Sequence, residues 1–256
     1  MRDDQIALQL YTLRRLMAGD LPGTLRAVGE AGYRAVELAG LPEVAPATLR
    51  ELLAQAGLAV VGAHRPLEEL RDDLDGSIDW LSAVGCPRVI VPWLSSADRA
   101  VPDGVRRVAT ELGRIAETCA GAGIRLGYHN HDYEFEPADG ASIWDVLLAS
   151  LPDSVEIELD VYWAAFAGRD PVDLIDRLAD RVRLLHMKDM AAGPGRRDAA
   201  PGDGVLPWPA IVEAGRRANV EWYVVEQDEP ADPLPEVTRG LRYLRGLTAA
   251  GVRGGG

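Results

Sequence analysis

Short apolar runs alternate with amphipathic stretches eight times along this 256-residue chain, and that alternation restricts the fold more than any other feature. Each run is rich in aliphatic residues and is bounded by turn residues, which is typical of a buried parallel strand. The predicted strands cover residues 5–11, 35–39, 59–64, 88–94, 124–131, 155–162, 182–188 and 221–227. The predicted helices cover residues 23–31, 45–56, 67–84, 101–121, 142–150, 170–180, 207–218 and 234–249.

The helix endings predict short connections between these units. An Ala-Gly or Val-Gly pair precedes the next strand at residues 31–32, 56–57, 84–85 and 122–123, and glycine readily ends a helix in a left-handed conformation. Eight such units in about 250 residues match a (β/α)8 barrel. An open doubly wound sheet is the alternative, but the turn from Tyr11 to Arg14 lacks its glycine-rich phosphate fingerprint. We predict a single α/β TIM-barrel domain over residues 1–252 and a disordered tail over residues 253–256.

The acidic composition excludes several classes of partner. The formal net charge is −13 at pH 7, whereas nucleic acids and anionic membranes attract cationic surfaces. No window approaches the ~18 apolar residues of a membrane span, and the N-terminus lacks the apolar core of a signal peptide. Cys86 and Cys119 lack the spacing of a disulfide framework, which predicts buried reduced thiols. We expect a cytoplasmic protein with a small-molecule substrate and neither a nucleic acid nor a membrane as partner, and a homo-oligomer is left open.

The histidines and the lysine are concentrated at the ends of predicted strands. The chain has four histidines, and one lysine among 27 lysine and arginine residues. All five of these side chains end apolar runs, and they are His64, His129, His131, His186 and Lys188. Because the active sites of (β/α)8 barrels lie at the C-terminal ends of the strands, these residues mark the predicted mouth of the barrel.

Two carboxylates end predicted strands in the same way. Asp160 ends the sixth strand and Glu226 ends the eighth, on either side of His186 on the seventh. A buried charge needs a partner, and divalent metals in proteins are bound by carboxylates and imidazoles. Asp160, His186 and Glu226 are therefore candidate metal ligands.

Motifs at these positions resemble the sugar phosphate isomerase/epimerase superfamily. This superfamily comprises xylose-isomerase-like TIM barrels and includes inosose dehydratases, tagatose 3-epimerases and hydroxypyruvate isomerases. The similarity runs essentially from end to end, and the fifth-strand motif, Gly-Tyr-His-Asn-His-Asp-Tyr-Glu-Phe, is the most specific part. The matching segments are residues 8–14, 33–37, 127–135, 158–160, 185–189 and 224–228.

The resemblance implies a divalent metal ion, with Mn²⁺ expected first and Co²⁺, Mg²⁺ or Zn²⁺ as alternatives. In the superfamily a Glu, an Asp, a His and a Glu from strands five to eight bind the ion, and the last three correspond to Asp160, His186 and Glu226. Where many relatives have the strand-five Glu, this chain has two imidazoles. His131 is one candidate for the fourth ligand, and His129 and Glu134 are left open.

The same resemblance implies an isomerase or epimerase that acts on a keto-sugar or polyol derivative. The expected chemistry is removal of a proton beside a carbonyl to give a metal-stabilised enediolate. A dehydratase or lyase acting on a keto-sugar or keto-inositol is the alternative, and the missing strand-five Glu weakens a two-carboxylate epimerase scheme. The catalytic candidates are Glu226, His131, Lys188 and Glu134. The substrate-binding candidates are His64, His129, Glu37, Trp93 and Trp163.

Two further readings belong to other classes of protein. Apurinic-site endonucleases share the barrel and its metal ligands at the strand ends, but the acidic composition of this chain opposes binding to duplex DNA. A non-catalytic accessory subunit would need no metal. No P-loop or cluster of basic strand ends provides an anion site, which favours a substrate without phosphate. Residues 191–207, rich in glycine, proline and charge, form a predicted substrate loop.

Overall fold

Eight parallel strands close into a barrel in the computed structural model, which describes residues 1–138 and 140–252. The strands are β1 (Ile6–Gln9), β2 (Ala35–Leu38), β3 (Ala59–His64), β4 (Arg88–Val91), β5 (Arg125–His129), β6 (Val155–Asp160), β7 (Val182–Met187) and β8 (Trp222–Val225). Neighbouring strands follow chain order, and β1 closes the barrel against β8 with Ile6 opposite Tyr223. The predicted (β/α)8 fold is confirmed.

Eleven helices in the described part of the chain surround the barrel. They are α1 (Arg14–Gly19), α2 (Leu21–Ala31), α3 (Pro46–Ala56), α4 (Leu67–Asp72), α5 (Leu74–Val84), α6 (Pro102–Gly121), α7 (Ile143–Ser150), α8 (Val161–Phe166), α9 (Pro171–Leu178), α10 (Trp208–Arg217) and α11 (Pro233–Val252). Over residues 1–138 and 140–252, none of these helices combines the length and apolarity needed to cross a membrane. The predicted tail, residues 253–256, lies outside the described residues.

Local capping explains most of the differences from the predicted boundaries. The sixth strand ends at Asp160 rather than at residue 162, because its carboxylate caps α8. The helix predicted over residues 67–84 is two helices, because Asp73 accepts a hydrogen bond from Gly76 N (2.9 Å) and starts α5. The six-residue helices α1 and α8 are too short to give a clear helical period.

The barrel interior is layered along its axis. At the N-terminal end of the strands, four charged side chains form ion pairs that we call the barrel floor: Arg88, Arg125, Glu156 and Glu221. Above it lies a separate apolar layer of six buried side chains: Ala7, Ala35, Val61, Ile90, Leu184 and Val224. The C-terminal ends of the strands above this layer carry polar and charged side chains, which positions a site at the mouth.

Alternation along each strand separates the mouth from the outer core. In β6, Val155, Ile157 and Leu159 belong to the large apolar core, while Glu158 and Asp160 are fully buried beneath the mouth. Because successive strand residues point to opposite faces, one strand contributes both to the core and to the site.

Candidate functional site

A cavity of about 500 Å³ opens at the C-terminal ends of the strands. We call it the main cavity. Its walls include three aromatic side chains at the rim, Tyr11, Trp93 and Trp163. The polar side chains at or directly below it are buried, apart from the partly exposed His64: Gln9, Glu37, His64, His129, Glu158, Asp160, His186, Lys188 and Glu226.

Glu158 lies at the centre of the first of two groups of ligand-type side chains. Its Oε2 lies 2.7 Å from His64 Nε2, 3.0 Å from His129 Nδ1 and 3.1 Å from His186 Nε2. We call these four residues the deep group. Glu158 was not predicted as a site residue, because it shares its strand face with both Glu156 and Asp160, and alternation does not give the depth of a side chain in the barrel.

The second group, which we call the upper group, consists of Asp160, His186 and Glu226. His186 Nδ1 lies 2.9 Å from Glu226 Oε2. The Oδ1 atom of Asp160 accepts hydrogen bonds from the backbone N–H groups of Tyr162 (2.8 Å) and Trp163 (3.0 Å) at the start of α8. This capping fixes the carboxylate, and its Oδ2 atom remains buried without a hydrogen bond.

His186 connects the two groups through its two ring nitrogens. While Nδ1 faces Glu226, Nε2 lies 2.8 Å from Glu37 Oε2 and contacts Glu158. Glu37 is held from its other side by Gln9 Nε2, which donates a hydrogen bond to it at 2.8 Å. Gln9 is a further site residue that the sequence analysis missed, because a single glutamine on a strand carries no distinctive pattern.

Lys188 supplies the positive charge beside the upper group. Its Nζ lies 3.2 Å from Asp160 Oδ2, 3.0 Å from Glu226 Oε2 and 3.0 Å from both carboxylate oxygens of Asp228. The ammonium also lies 5.5 Å from the centre of the Trp163 ring, over its face. Lys188 is 1% exposed and still reaches the main cavity. Asp228 was not predicted as a site residue.

His131 and Glu134 lie in different surroundings. The His131 ring faces the main cavity, stacked on Tyr133 (5.8 Å between ring centres) and near Trp163 (5.5 Å), and its Nδ1 is buried without a partner. Glu134 instead accepts hydrogen bonds from Tyr128 Oη (2.5 Å) and His131 N (2.8 Å). The structure brings neither residue into the deep or the upper group, and Glu134 does not line the main cavity.

The predicted substrate-binding residues are divided between two depths. His64, His129, Trp93 and Trp163 line the main cavity, and Trp93 is 43% exposed at its rim, two residues beyond the end of β4. Glu37 is completely buried below the cavity and contacts His64 and His186.

The segment 191–207 is held by hydrogen bonds to Asp189, which follows Lys188 in the chain. Asp189 is fully buried and its carboxylate accepts five hydrogen bonds. The donors are the backbone N–H groups of Met190, Gly202, Gly204 and Leu206 and the indole Nε1 of Trp208. No residue of 191–207 lines the main cavity, but Asp198 accepts a hydrogen bond from Asp228 N (2.6 Å). The segment therefore supports the partner of Lys188.

The charges of the site are perturbed by burial and by one another. Burial raises the pKa of Asp160 to about 6, although the Lys188 ammonium opposes this shift. Burial also disfavours the His64 imidazolium, yet the carboxylates of Glu37 and Glu158 raise its pKa to about 9. Burial and then Lys188 lower the pKa of His131 to about 3, which keeps this ring neutral.

A divalent cation suits this donor set. The ligand atoms of the deep group lie within 4.8 Å of one another, as do those of the upper group. One oxygen each of Glu37, Glu158 and Asp160 is buried without a hydrogen bond. Four carboxylates of the site are buried among imidazoles, and mixed nitrogen and oxygen donors are typical of sites for divalent transition metals.

Comparison with known proteins identifies the family of this barrel. The sequence profile of the xylose isomerase-like TIM barrel family matches residues 25–247. The chain belongs to that family. The resemblance predicted from its motifs is thereby confirmed.

Individual relatives are identical to this chain at a quarter or fewer of the aligned residues. An inosose dehydratase from Lacticaseibacillus casei is 24% identical over 254 residues, covering 84% of this chain and 85% of the relative. A sugar phosphate isomerase/epimerase structure from Parabacteroides distasonis has a TM-score of 0.82 and 25% identity, covering 94% of this chain and 93% of that one. The IOLI protein, solved with a bound zinc atom, has a TM-score of 0.74 and 13% identity over 96% of this chain and 97% of its own. This last likeness shows the shared fold.

Proposed function

We propose that this protein is a metal-dependent dehydratase that acts on a keto-sugar or keto-cyclitol. The reaction removes the proton beside the carbonyl and expels the hydroxyl group on the next carbon as water. The observation that carries the proposal is the presence of a neutral imidazole, His131, and an ammonium group, Lys188, on the wall of one cavity beside the upper group. The similarity to inosose dehydratases supports the same reaction type.

The residues of the upper group would hold the metal, with His129 as the strand-five contributor. His129 Nε2 lies 3.9 Å from Asp160 Oδ2, whereas His131 belongs to neither group. When bound, a divalent ion polarises the substrate carbonyl and stabilises the charge that develops as the proton leaves. Glu37, Glu158 and His64 lie deeper and orient the ring of His186.

His131 and Lys188 provide the proton transfers. His131 accepts the substrate proton through its imidazole ring, which lines the main cavity. Lys188 donates a proton from Nζ to the departing hydroxyl, so that water leaves, and its three carboxylate neighbours hold the ammonium in place. Trp163 and Trp93 provide aromatic faces for the apolar side of the substrate ring.

Dehydration is favoured over epimerisation by the composition of strand five. Epimerisation through two carboxylates needs an acid on each side of the substrate carbon, and β5 ends in His129 instead. An ammonium beside an imidazole can instead supply the proton that converts a leaving hydroxyl group into water.

The test follows deuterium exchange and product formation by NMR in D₂O with a panel of keto-sugars and keto-inositols, after metal supplementation. We expect solvent deuterium at one carbon and loss of one molecule of water. His131→Asn and Lys188→Met should each lower turnover by at least about 100-fold. Asp160→Asn should lower the bound metal to less than a tenth of an equivalent.

Asp203→Asn is the matched control, because it removes only an exposed ion pair with Arg239. It should retain full metal content and turnover. A product that keeps all the oxygen atoms of the substrate would show that the protein is an isomerase and not a dehydratase. The absence of exchange with every substrate in the metal-loaded protein would refute the proposal.

A further inference from the structure

A second cavity, of about 560 Å³, adjoins the main cavity and is not used by the proposed reaction. We call it the side cavity. It lies between the turn Leu10–Leu13, helix α1 and the segment that follows β2. The two cavities share three wall residues, Tyr11, Ala39 and Gly40. The two cavities therefore lie against a common wall, and a ligand that occupies both must pass these three residues.

The two cavities differ in chemistry. The main cavity is lined by imidazoles, carboxylates and the Lys188 ammonium, which suit hydroxyl and carbonyl groups. The side cavity is lined mainly by aliphatic side chains, and its charged residues are Arg14 and Glu43. The aliphatic residues are Leu10, Met17, Leu21, Leu38, Val44 and Leu49.

Tyr11 forms the boundary and is held in place. Its ring lies 4.0 Å below the Arg14 guanidinium, and Arg14 also donates a hydrogen bond to Tyr11 O at 3.0 Å. Arg14 is fixed in turn by Glu229 Oε1 at 2.7 Å. On the facing wall, Gly40 has a φ of +91°, and a Cβ added there would meet no atom within 4 Å. The boundary between the two cavities therefore combines a positioned aromatic ring with a glycine that leaves open space beside its backbone.

The combined volume exceeds what a single sugar ring needs. Cavities of roughly 300–1,000 Å³ hold drug-sized ligands, and each of these two lies in that range. A lone monosaccharide or cyclitol would leave the side cavity to water, whereas an apolar substituent would remove the remaining exposed apolar area of its walls from water and stabilise the complex in proportion to that area.

We propose that the substrate is a conjugate, in which a keto-sugar or keto-cyclitol ring carries an apolar substituent such as an aryl group. The polar ring occupies the main cavity, an assignment that rests on the proposed function. The substituent passes Tyr11 and Gly40 and is buried in the side cavity. Tyr11 contacts the junction between the two parts, which makes it a specificity residue rather than a catalytic one.

The test measures equilibrium binding rather than turnover. Isothermal titration compares methyl and phenyl glycosides of glucose, galactose and mannose on the metal-loaded protein. Burial of the phenyl ring should tighten binding about tenfold for at least one sugar. Ala18→Phe, which adds a side chain on α1 at the side cavity, should abolish that advantage while leaving the affinity for the methyl glycoside within about twofold.

The control is Ala120→Phe on α6, where the side chain is exposed and lines neither cavity. It should bind both glycosides like the parent protein, and thermal unfolding should show both variants folded. Equal affinities for the methyl and phenyl glycosides of every sugar, or a phenyl advantage that survives Ala18→Phe, would overturn the inference. A phenyl advantage lost in Ala18→Phe, in a protein that exchanges no substrate proton, would uphold the side cavity and refute only the proposed reaction.

Discussion

Asp189 is the residue whose replacement tests the architecture behind the site most directly. In Asp189→Asn, one carboxylate oxygen becomes an NH₂ group that cannot accept a hydrogen bond. If the amide nitrogen takes the position of Oδ1, the backbone N–H groups of Met190 and Leu206 lose their acceptor. If it takes the position of Oδ2, Gly202, Gly204 and Trp208 lose theirs.

The orientation of the new amide that leaves only two donors without an acceptor sets the expected loss of stability. Each buried donor left without a partner costs about 1–3 kcal/mol, and bonds to a charged acceptor lie at the upper end of that range. Two such donors predict that the free energy of unfolding falls by about 3–5 kcal/mol. This is a large share of the roughly 5–15 kcal/mol that stabilises a typical domain.

Urea denaturation gives this difference, and hydrogen exchange with mass spectrometry locates it. Peptides that contain residues 200–208 should lose protection, while peptides from α6 should not. Asp203→Asn, one residue from Gly202 and Gly204 but exposed, should change stability by less than about 0.5 kcal/mol. A loss below about 1 kcal/mol in Asp189→Asn, or uniform loss of protection, would refute the reasoning.

Two other substitutions test the layers of the barrel. Arg88→Met should lower the free energy of unfolding, measured by urea denaturation, by about 3 kcal/mol, because Arg88 is 1% exposed and pairs with Glu156. Arg125→Met removes the 42% exposed arginine of the same floor and should lower it by less than about 1 kcal/mol. Equal losses in the two variants would contradict this ranking. Gly62→Ala should lower both stability, by about 1–3 kcal/mol, and metal affinity, because a Cβ there would lie 2.7 Å from Glu37 Oε1. Its control, the exposed helical Gly246→Ala with open space around it, should leave metal affinity unchanged in a chelator competition assay.

Strand periodicity carried the fold prediction because parallel barrel strands are buried on both faces and stand out as apolar runs. The strand ends were therefore recognisable, and Asp160, His186 and Glu226 could be named from their positions alone. Glu158 could not, since it shares its strand face with Glu156, which belongs to the floor. Alternation gives the face of a side chain but not its depth along the barrel axis.

The positions of side chains beyond the strand ends could not be predicted, because they depend on turns that the sequence does not specify clearly. Glu134 follows β5, and its place in the sequence predicts that its carboxylate can reach back to the metal candidates. The short 3-10 turn Tyr133–Phe135 directs it to Tyr128 Oη instead. Asp228 lies 40 residues from Lys188, and four of the five donors to Asp189 lie 13 to 19 residues after it, so that no local pattern encodes these contacts.

The apolar layer of six side chains between the floor and the mouth divides the barrel into two electrostatic compartments. The floor pairs its own charges at one end of the barrel, and the mouth balances its charges separately at the other end. Substitutions that adapt the mouth to a new substrate therefore leave the ion pairs of the floor untouched. A chain built in this way can acquire new chemistry at one end while the other end continues to ensure that it folds.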